Sequence, residues 1–346
     1  MTTRSRRRSR AVAVGLSVVL PTAVMLIVAV VICMGVTTVT LLLPALRATA
    51  AAAVTVTVTT PETCTAHTMQ IVAHPDDDLL FVNPDILRDI EAGQCVRTVF
   101  VTTGDANRDD SYWPRREDGV RAAYAIMAGA DDAWTATTIA IAGNDLTTVT
   151  LDAAPAISLV FMRLPDGNRR GTGNRIHDFE SLKRLWEGDI PTISAVDGTA
   201  TYDRESLQRT LTGLIDDFGA GTVRTQDWTI EFGAGDNADH TATAFFAREA
   251  ARMSPTEHTL VAYAGYPSWR RAANVSGHDL GAKAAAIVAY ATHDPKMCVE
   301  PQCVDAFVAS IRAARQYVVA IELVGTVGPP KTLGQVPPTA VTGAHP

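Results

Sequence analysis

Thr68-Met69-Gln70-Ile71-Val72-Ala73-His74-Pro75-Asp76-Asp77-Asp78 is the stretch on which the fold turns. Its first six residues are a short β-prone run that stops abruptly on a histidine, a proline and three successive carboxylates. Adjacent aspartates raise one another's proton affinity unless a cation or a helix N-terminus absorbs the charge, so something positive is expected beside them. Residues 79–92 continue with helical spacing of Leu79, Leu80, Ile86, Leu87 and Ile90, and residues 95–103 form a second β-branched run. The unit reads β-α-β.

The pattern repeats outward. Helices are predicted over 114–129, 205–218, 240–253, 279–291 and 303–317, and strands over 137–142, 158–164, 222–225 and 259–264. Alternation of this kind implies an α/β fold: a Rossmann-like three-layer sandwich with a mostly parallel sheet covered by helices on both faces.

Of 346 residues, 47% are hydrophobic and 19% charged, enough apolar material for a full core. The net charge of −7, with no basic helix or aromatic-basic interleave, argues against nucleic acid as a partner. Arg4, Arg6, Arg7, Arg8 and Arg10 precede an uncharged, mostly apolar run over 11–46, which reads as a targeting segment. It is long enough to span a bilayer, and Ala48-Thr49-Ala50 offers a cleavage site, so membrane anchor and signal peptide both stand. Either way the arginines stay cytoplasmic and the body is exported, meeting the membrane only through this segment if it is uncleaved. The expected organisation is 1–50 signal or anchor, 51–66 linker, 67–324 catalytic domain and 325–346 a proline-rich disordered tail. Of five cysteines, Cys33 lies in the apolar run, leaving Cys64 with Cys95 and Cys298 with Cys303 as plausible disulfides.

In a parallel sheet, ligands gather beyond the carboxyl ends of strands, which is where His74 falls. Pro75 biases His74 toward extended backbone, and His74 and Asp77, three apart, can turn toward one point. Asp239-His240, before a helical run, is the leading source of a third ligand. Two histidines, one aspartate and water would give zinc the open, catalytic arrangement. Asp76 can then accept a proton from the activated water. The competing reading is an ordinary helix start, which also favours proline and aspartates in its first turn. Residues 165–175 form a loop with three arginines on the same rim. There Arg169 is a candidate for an anionic or sugar substrate and Asp166 for a sugar hydroxyl, against the alternative of a solvated turn. The run 105–109 imitates a calcium loop but has Asp110 and Arg116 where glycine and glutamate are required. Neither a G-x-S-x-G elbow nor a phosphate-binding glycine loop occurs.

Ala73-His74-Pro75-Asp76-Asp77-Asp78 resembles the A-H-P-D-D-[DE] signature of the PIG-L/LmbE family of zinc-dependent N-acetylglucosaminide deacetylases. The resemblance continues through Thr102-Thr103-Gly104-Asp105, Arg116-Glu117 and Asp239-His240, spanning roughly residues 68–265. It implies an LmbE-like fold, Zn2+ held by His74, Asp77 and His240, Asp76 as general base, Arg116 near the substrate, and an acetylated amino sugar as that substrate. One departure stands out: many members read H-P-D-H where this chain has Asn237-Ala238-Asp239-His240. Asn237 occupies the position of the usual acid; its amide can donate to an oxyanion but cannot deliver a proton. That leaves His278, His293 or Asp76 acting twice as the proton source, with Asp239 orienting a histidine. A zinc amidohydrolase on a non-sugar amide and a catalytically weak carbohydrate-binding protein are the competing functions.

Overall fold

The computed structural model describes residues 64–297 and 313–325. Its strands are β1 (His67–Val72), β2 (Cys95–Thr102), β3 (Trp134–Ile141), β4 (Asn144–Leu151), β5 (Ile157–Leu164), β6 (Ile193–Ser194), β7 (Thr201–Tyr202), β8 (Thr222–Gln226), β9 (His258–Tyr263) and β10 (Val318–Val324). Eight of them form one sheet in the order β10-β9-β8-β1-β2-β5-β4-β3, while β6 and β7 pair as a small ribbon. The five strands from β9 to β5 run parallel, and antiparallel β10 and β4-β3 close the two edges.

The helices are α1 (Asp85–Glu91), α2 (Trp113–Met127), α3 (Leu182–Glu187), α4 (Arg204–Phe218), α5 (Ala238–Met253) and α6 (Gly277–Ala291). Strand alternation explains how they divide. Val99 and Val101 of β2 join a core with Leu185, Leu207, Leu211 and Phe246 of α3, α4 and α5. Val96 and Phe100, on the opposite face, join Ile86, Val120, Tyr124 and Tyr290 of α1, α2 and α6. This is the three-layer α/β sandwich expected from the alternation. In α4, Leu207, Leu211 and Leu214 bury one stripe at helical spacing, Asp203 and Ser206 close a capping box, and Gly219 at φ 63° ends the helix. Leu211→Ala should cost about 3 kcal/mol through the cavity it leaves.

Three expectations are corrected. The helix over 79–92 is broken: a π turn at Asp78–Val82 ends at Asn83, and α1 starts only after Pro84, whose missing N–H cannot continue the ladder. Lys283 of α6, fully buried, holds this break by donating to the carbonyls of Leu80 (2.8 Å), Asn83 (2.7 Å) and Arg315 (2.9 Å). The strand expected at 137–142 is the second half of β3, which turns through Ala142 and Gly143, both at positive φ, into β4. The unpredicted β4 is rich in threonine and carries Asp145, so it lacks an apolar run. Residues 313–317 of the helix expected at 303–317 form a turn and irregular chain; the rest of that run lies outside the described residues.

Cys64 and Cys95 are joined, with Cα atoms 5.4 Å apart, fastening the chain ahead of β1 to the start of β2. The pairing expected for Cys298 and Cys303, the segment over 1–50 and the tail beyond Gly325 lie outside the described residues. Among the described residues no helix is long and apolar enough to cross a membrane.

Candidate active site

β1 pairs with β2 on one side and with β8 on the other, so the order of strands reverses beside it. A crevice opens at such a reversal, beyond the carboxyl ends of the strands. His74 leaves the end of β1, Gln226 ends β8, and α5 brings His240 across the crevice.

The buried Asp77 is the meeting point. His74 Nδ1 lies 3.0 Å from its Oδ2, and His240 Nε2 lies 3.1 Å from its Oδ1. Gln226 Nε2 (3.1 Å) and the backbone N–H of His74 (2.8 Å) donate to Oδ2 and fix the carboxylate. Each histidine turns its other nitrogen to a second carboxylate: His74 Nε2 to Asp239 Oδ2 at 3.3 Å, and His240 Nδ1 to Asp236 Oδ1 at 2.8 Å. A carboxylate behind each imidazole is how metal-ligating histidines are oriented. Donor atoms of His74, Asp77 and His240 all lie within 4.8 Å of one another. His240 Nε2 is buried and has no hydrogen-bond partner, an orphan that a cation at this point would satisfy. The residues present therefore fit a divalent cation.

His74, Asp166 and Asp239 also bring donor atoms together. There, however, the protein already serves the oxygens: Asp239 Oδ2 accepts Gly167 N–H at 2.8 Å, and Asp166 accepts the amides of Ala106 (3.1 Å) and Asn168 (2.6 Å).

Electrostatics follow the same geometry. Burial pushes Asp77 upward, but the combined pull of His240 and His74 outweighs it and drives the carboxyl far below its usual range. Burial draws His240 down, yet Asp77 and Asp236 together raise it to about 10. A bound cation replaces the protons these pairs otherwise hold.

Asp76 differs from its neighbours. Its φ of 142° is a region L-residues seldom occupy, and such strain persists only where the surroundings impose it. Arg116 Nη2 holds Asp76 Oδ1 at 2.7 Å, and the Asp76 side chain opens onto the cleft. Burial raises its carboxyl to about 6 against the pull of Arg116. Arg116, expected at the substrate, is instead buried and bonded to the protein: to Gly104 O (2.6 Å), Pro75 O (2.8 Å) and the Tyr290 hydroxyl (2.6 Å). It positions Asp76. A side chain at Gly104, at φ 58°, would collide with this guanidinium, so only glycine serves there. Asp78, expected to meet a helix start or an arginine, opens the π turn fully buried beside Tyr124, where burial raises it to about 7.

The cleft has a volume of about 330 Å3, and its walls include His74, Asp76, Asp166, Arg169, Asn237 and Tyr266. Asn237 caps α5: its Oδ1 accepts the Asp239 N–H at 2.9 Å, which turns its NH2 group away from the helix. Asp166 and Arg169 are thus on the cleft wall, although the Asp166 carboxylate also ties the two rim loops together. His278 pairs with Glu91 on the exposed surface and His293 lines a separate cavity with Asp118 and Trp134, so neither reaches the cleft. Asp236, Gln226 and Tyr266 escape the sequence reading. The only trace of Asp236 is a carboxylate four residues before His240, across a helix start.

The fold and this centre define an α/β hydrolase-type protein with a His–Asp–His cation site at the switch point of its sheet. The family model for GlcNAc-PI de-N-acetylases, PIG-L, matches residues 69–251, more than half of the chain, and the chain belongs to that family. It is a deacetylase, and its family acts on acetylated sugars and depends on a metal. Among solved structures the chain is similar to N,N'-diacetylchitobiose deacetylase from Pyrococcus horikoshii (14% identity, 70% of this chain and 75% of that one, TM-score 0.41). It is also similar to teicoplanin deacetylase in a zinc-inhibited form (13%, 65% and 84%, 0.39). A third is 4-carboxy-2-hydroxymuconate hydratase from Pseudomonas putida KT2440 (14%, 75% and 95%, 0.38). No curated protein matches the chain.

Proposed function

We propose that the protein hydrolyses the acetamido group of an N-acetylglucosamine-type sugar with the help of Zn2+ held by His74, Asp77 and His240, Asp76 acting as general base. The observation that carries this reading is the buried, unpartnered His240 Nε2 facing Asp77, with a half-open carboxylate one residue away on the cleft wall. Two imidazoles and one carboxylate leave zinc an open position, as catalytic rather than structural sites do. A cation bound there polarises the carbonyl and lowers the pKa of water to about 7.

The chain's own residues do the rest. Asp76, strained and held by Arg116, takes a proton from the attacking water as its oxygen bonds the acetyl carbon. The Asn237 NH2 group donates to the oxygen on which negative charge collects. With no histidine acid across the cleft, Asp76 returns the proton to the nitrogen as the C–N bond breaks, releasing acetate and the free amine. A carboxyl near 6 suits both transfers.

Zinc-loaded protein should release acetate from N,N'-diacetylchitobiose, and His74→Ala and His240→Ala should each lose metal and activity together. Metal content untouched by either substitution would overturn the site. The arginines at 4–10 and the apolar run over 11–46 support an exported enzyme acting on an extracytoplasmic sugar. Fractionation of cells producing the full chain tests this.

A further inference from the structure

Next to the catalytic cleft lies a larger cavity of about 640 Å3, walled by Arg169, Arg170, Lys183, Glu187, Phe232 and Asp236. Arg169 lines both, so the two chambers adjoin. The charge on these walls is unevenly committed. Asp236 is bound to His240 and to the amides of Asn237 (2.9 Å) and Tyr266 (3.2 Å), and Glu187 pairs with Lys183 at 2.9 Å. Arg169 and Arg170 have no carboxylate partner among the described residues, whereas Arg88, Arg97, Arg163, Arg224 and Arg248 each have one. In a chain of net charge −7, two unneutralised guanidinium groups in one concavity make a local attractor for anions.

The arginines are also presented by an ordered loop. Asn168 Oδ1 accepts the Arg170 N–H (2.9 Å), Gly171 N–H bonds Asn168 O (3.0 Å), and Ala238 N–H bonds Arg169 O (3.1 Å). A Cβ at Gly171 would lie 2.6 Å from Lys183 and 2.8 Å from Ala238, so the loop is pressed onto α3 and α5. Phe232 supplies a flat wall: its ring meets Phe245 edge-on at 5.5 Å and Lys183 Nζ stands 5.4 Å from its centre. A flat apolar face beside a guanidinium pair is what an acidic sugar needs, one for the ring and the other for the anion.

We infer that this second chamber binds an anionic group, a carboxylate or phosphate, carried on the part of the substrate adjoining the acetamido sugar. The inference rests on the deacetylase reading above and narrows its substrate to acidic amino-sugar conjugates.

The test compares kcat/KM of the zinc-loaded enzyme for three probes: N-acetylglucosamine joined to glucuronate, N-acetylglucosamine 1-phosphate, and neutral N,N'-diacetylchitobiose. At least one anionic probe should be favoured over the neutral one by about tenfold or more, the scale of one charge-assisted contact. Which probe is favoured identifies the anion. In Arg170→Gln/Lys183→Gln the ratio should fall toward one, with metal content retained, and the preference should weaken as salt screens it. Equal rates on all three probes, or a ratio unmoved by the double substitution, would overturn the inference. If no probe releases acetate, calorimetric binding separates the two claims. An anionic sugar bound by the wild type and lost in the double variant upholds the chamber while the deacetylase reading fails, and no binding removes both.

Discussion

The corner that follows β1 and the corner that starts α5 each deliver one histidine to Asp77, yet they hold it by opposite means. The first packs ligand, base and second ligand into four consecutive residues, at the expense of a strained Asp76 that needs Arg116 to keep it in place. The second is regular: Asn237 caps a helix, and His240 sits on its first turn with Asp236 behind it. The reactive group therefore lies where the backbone is distorted, and the regular corner supplies fixed support. Strain of this kind is tolerated at a site because the packing around it over-determines it.

Substitutions that act on one corner at a time test that division. Asp76→Asn should leave metal content intact and lower kcat on the order of 10³-fold, because the base is lost while the ligands stay. A loss shared equally by metal content would mean the two roles are not separate. On the other corner, Asn237→Ser keeps an N-cap oxygen but removes the amide donor. It should lower kcat by about 10² with KM little changed, the scale of one oxyanion donor. Unchanged kcat would leave the regular corner purely structural. Asp236→Asn, which weakens the partner behind His240, should reduce metal affinity by about tenfold or more, read by chelator competition.

The smallest effect is in pH. Asp76 works as a base only when ionised, and its carboxyl is raised to about 6, so kcat/KM should climb with pH and level off above that point. A nearby cation favours the ionised form, so the acid limb belongs at or below pH 6. A limb above pH 7 would assign the base to another group.

Much of this was legible in the chain. Period-two runs ending at Ala73 and Thr103, with helical spacing between and after them, gave a parallel sheet with helices on both faces. His-Pro-Asp-Asp placed a ligand, a base and a second ligand in one turn because that turn is local. Where the reading went astray, a long-range fact decided. The helix over 79–92 broke at Pro84 with a lysine some 200 residues away holding the break. Arg116 turned from substrate to Asp76 because α2 packs its guanidinium under the turn. The threonine-rich β4 forms because β5 offers it an edge.

By itself, then, the sequence determined what is set by neighbours along the chain: the element types, the chemical identity of the centre and the absent histidine at 237. Tertiary structure alone decided what depends on groups far apart in sequence meeting at a few ångströms. Asp236 and Asp239 stand behind the two imidazoles, Gln226 steadies Asp77, and Arg169 joins the catalytic cleft to a basic chamber. Hydrogen bonds and charge pairs act over distance in space, and only the folded sheet converts separation along the chain into that distance.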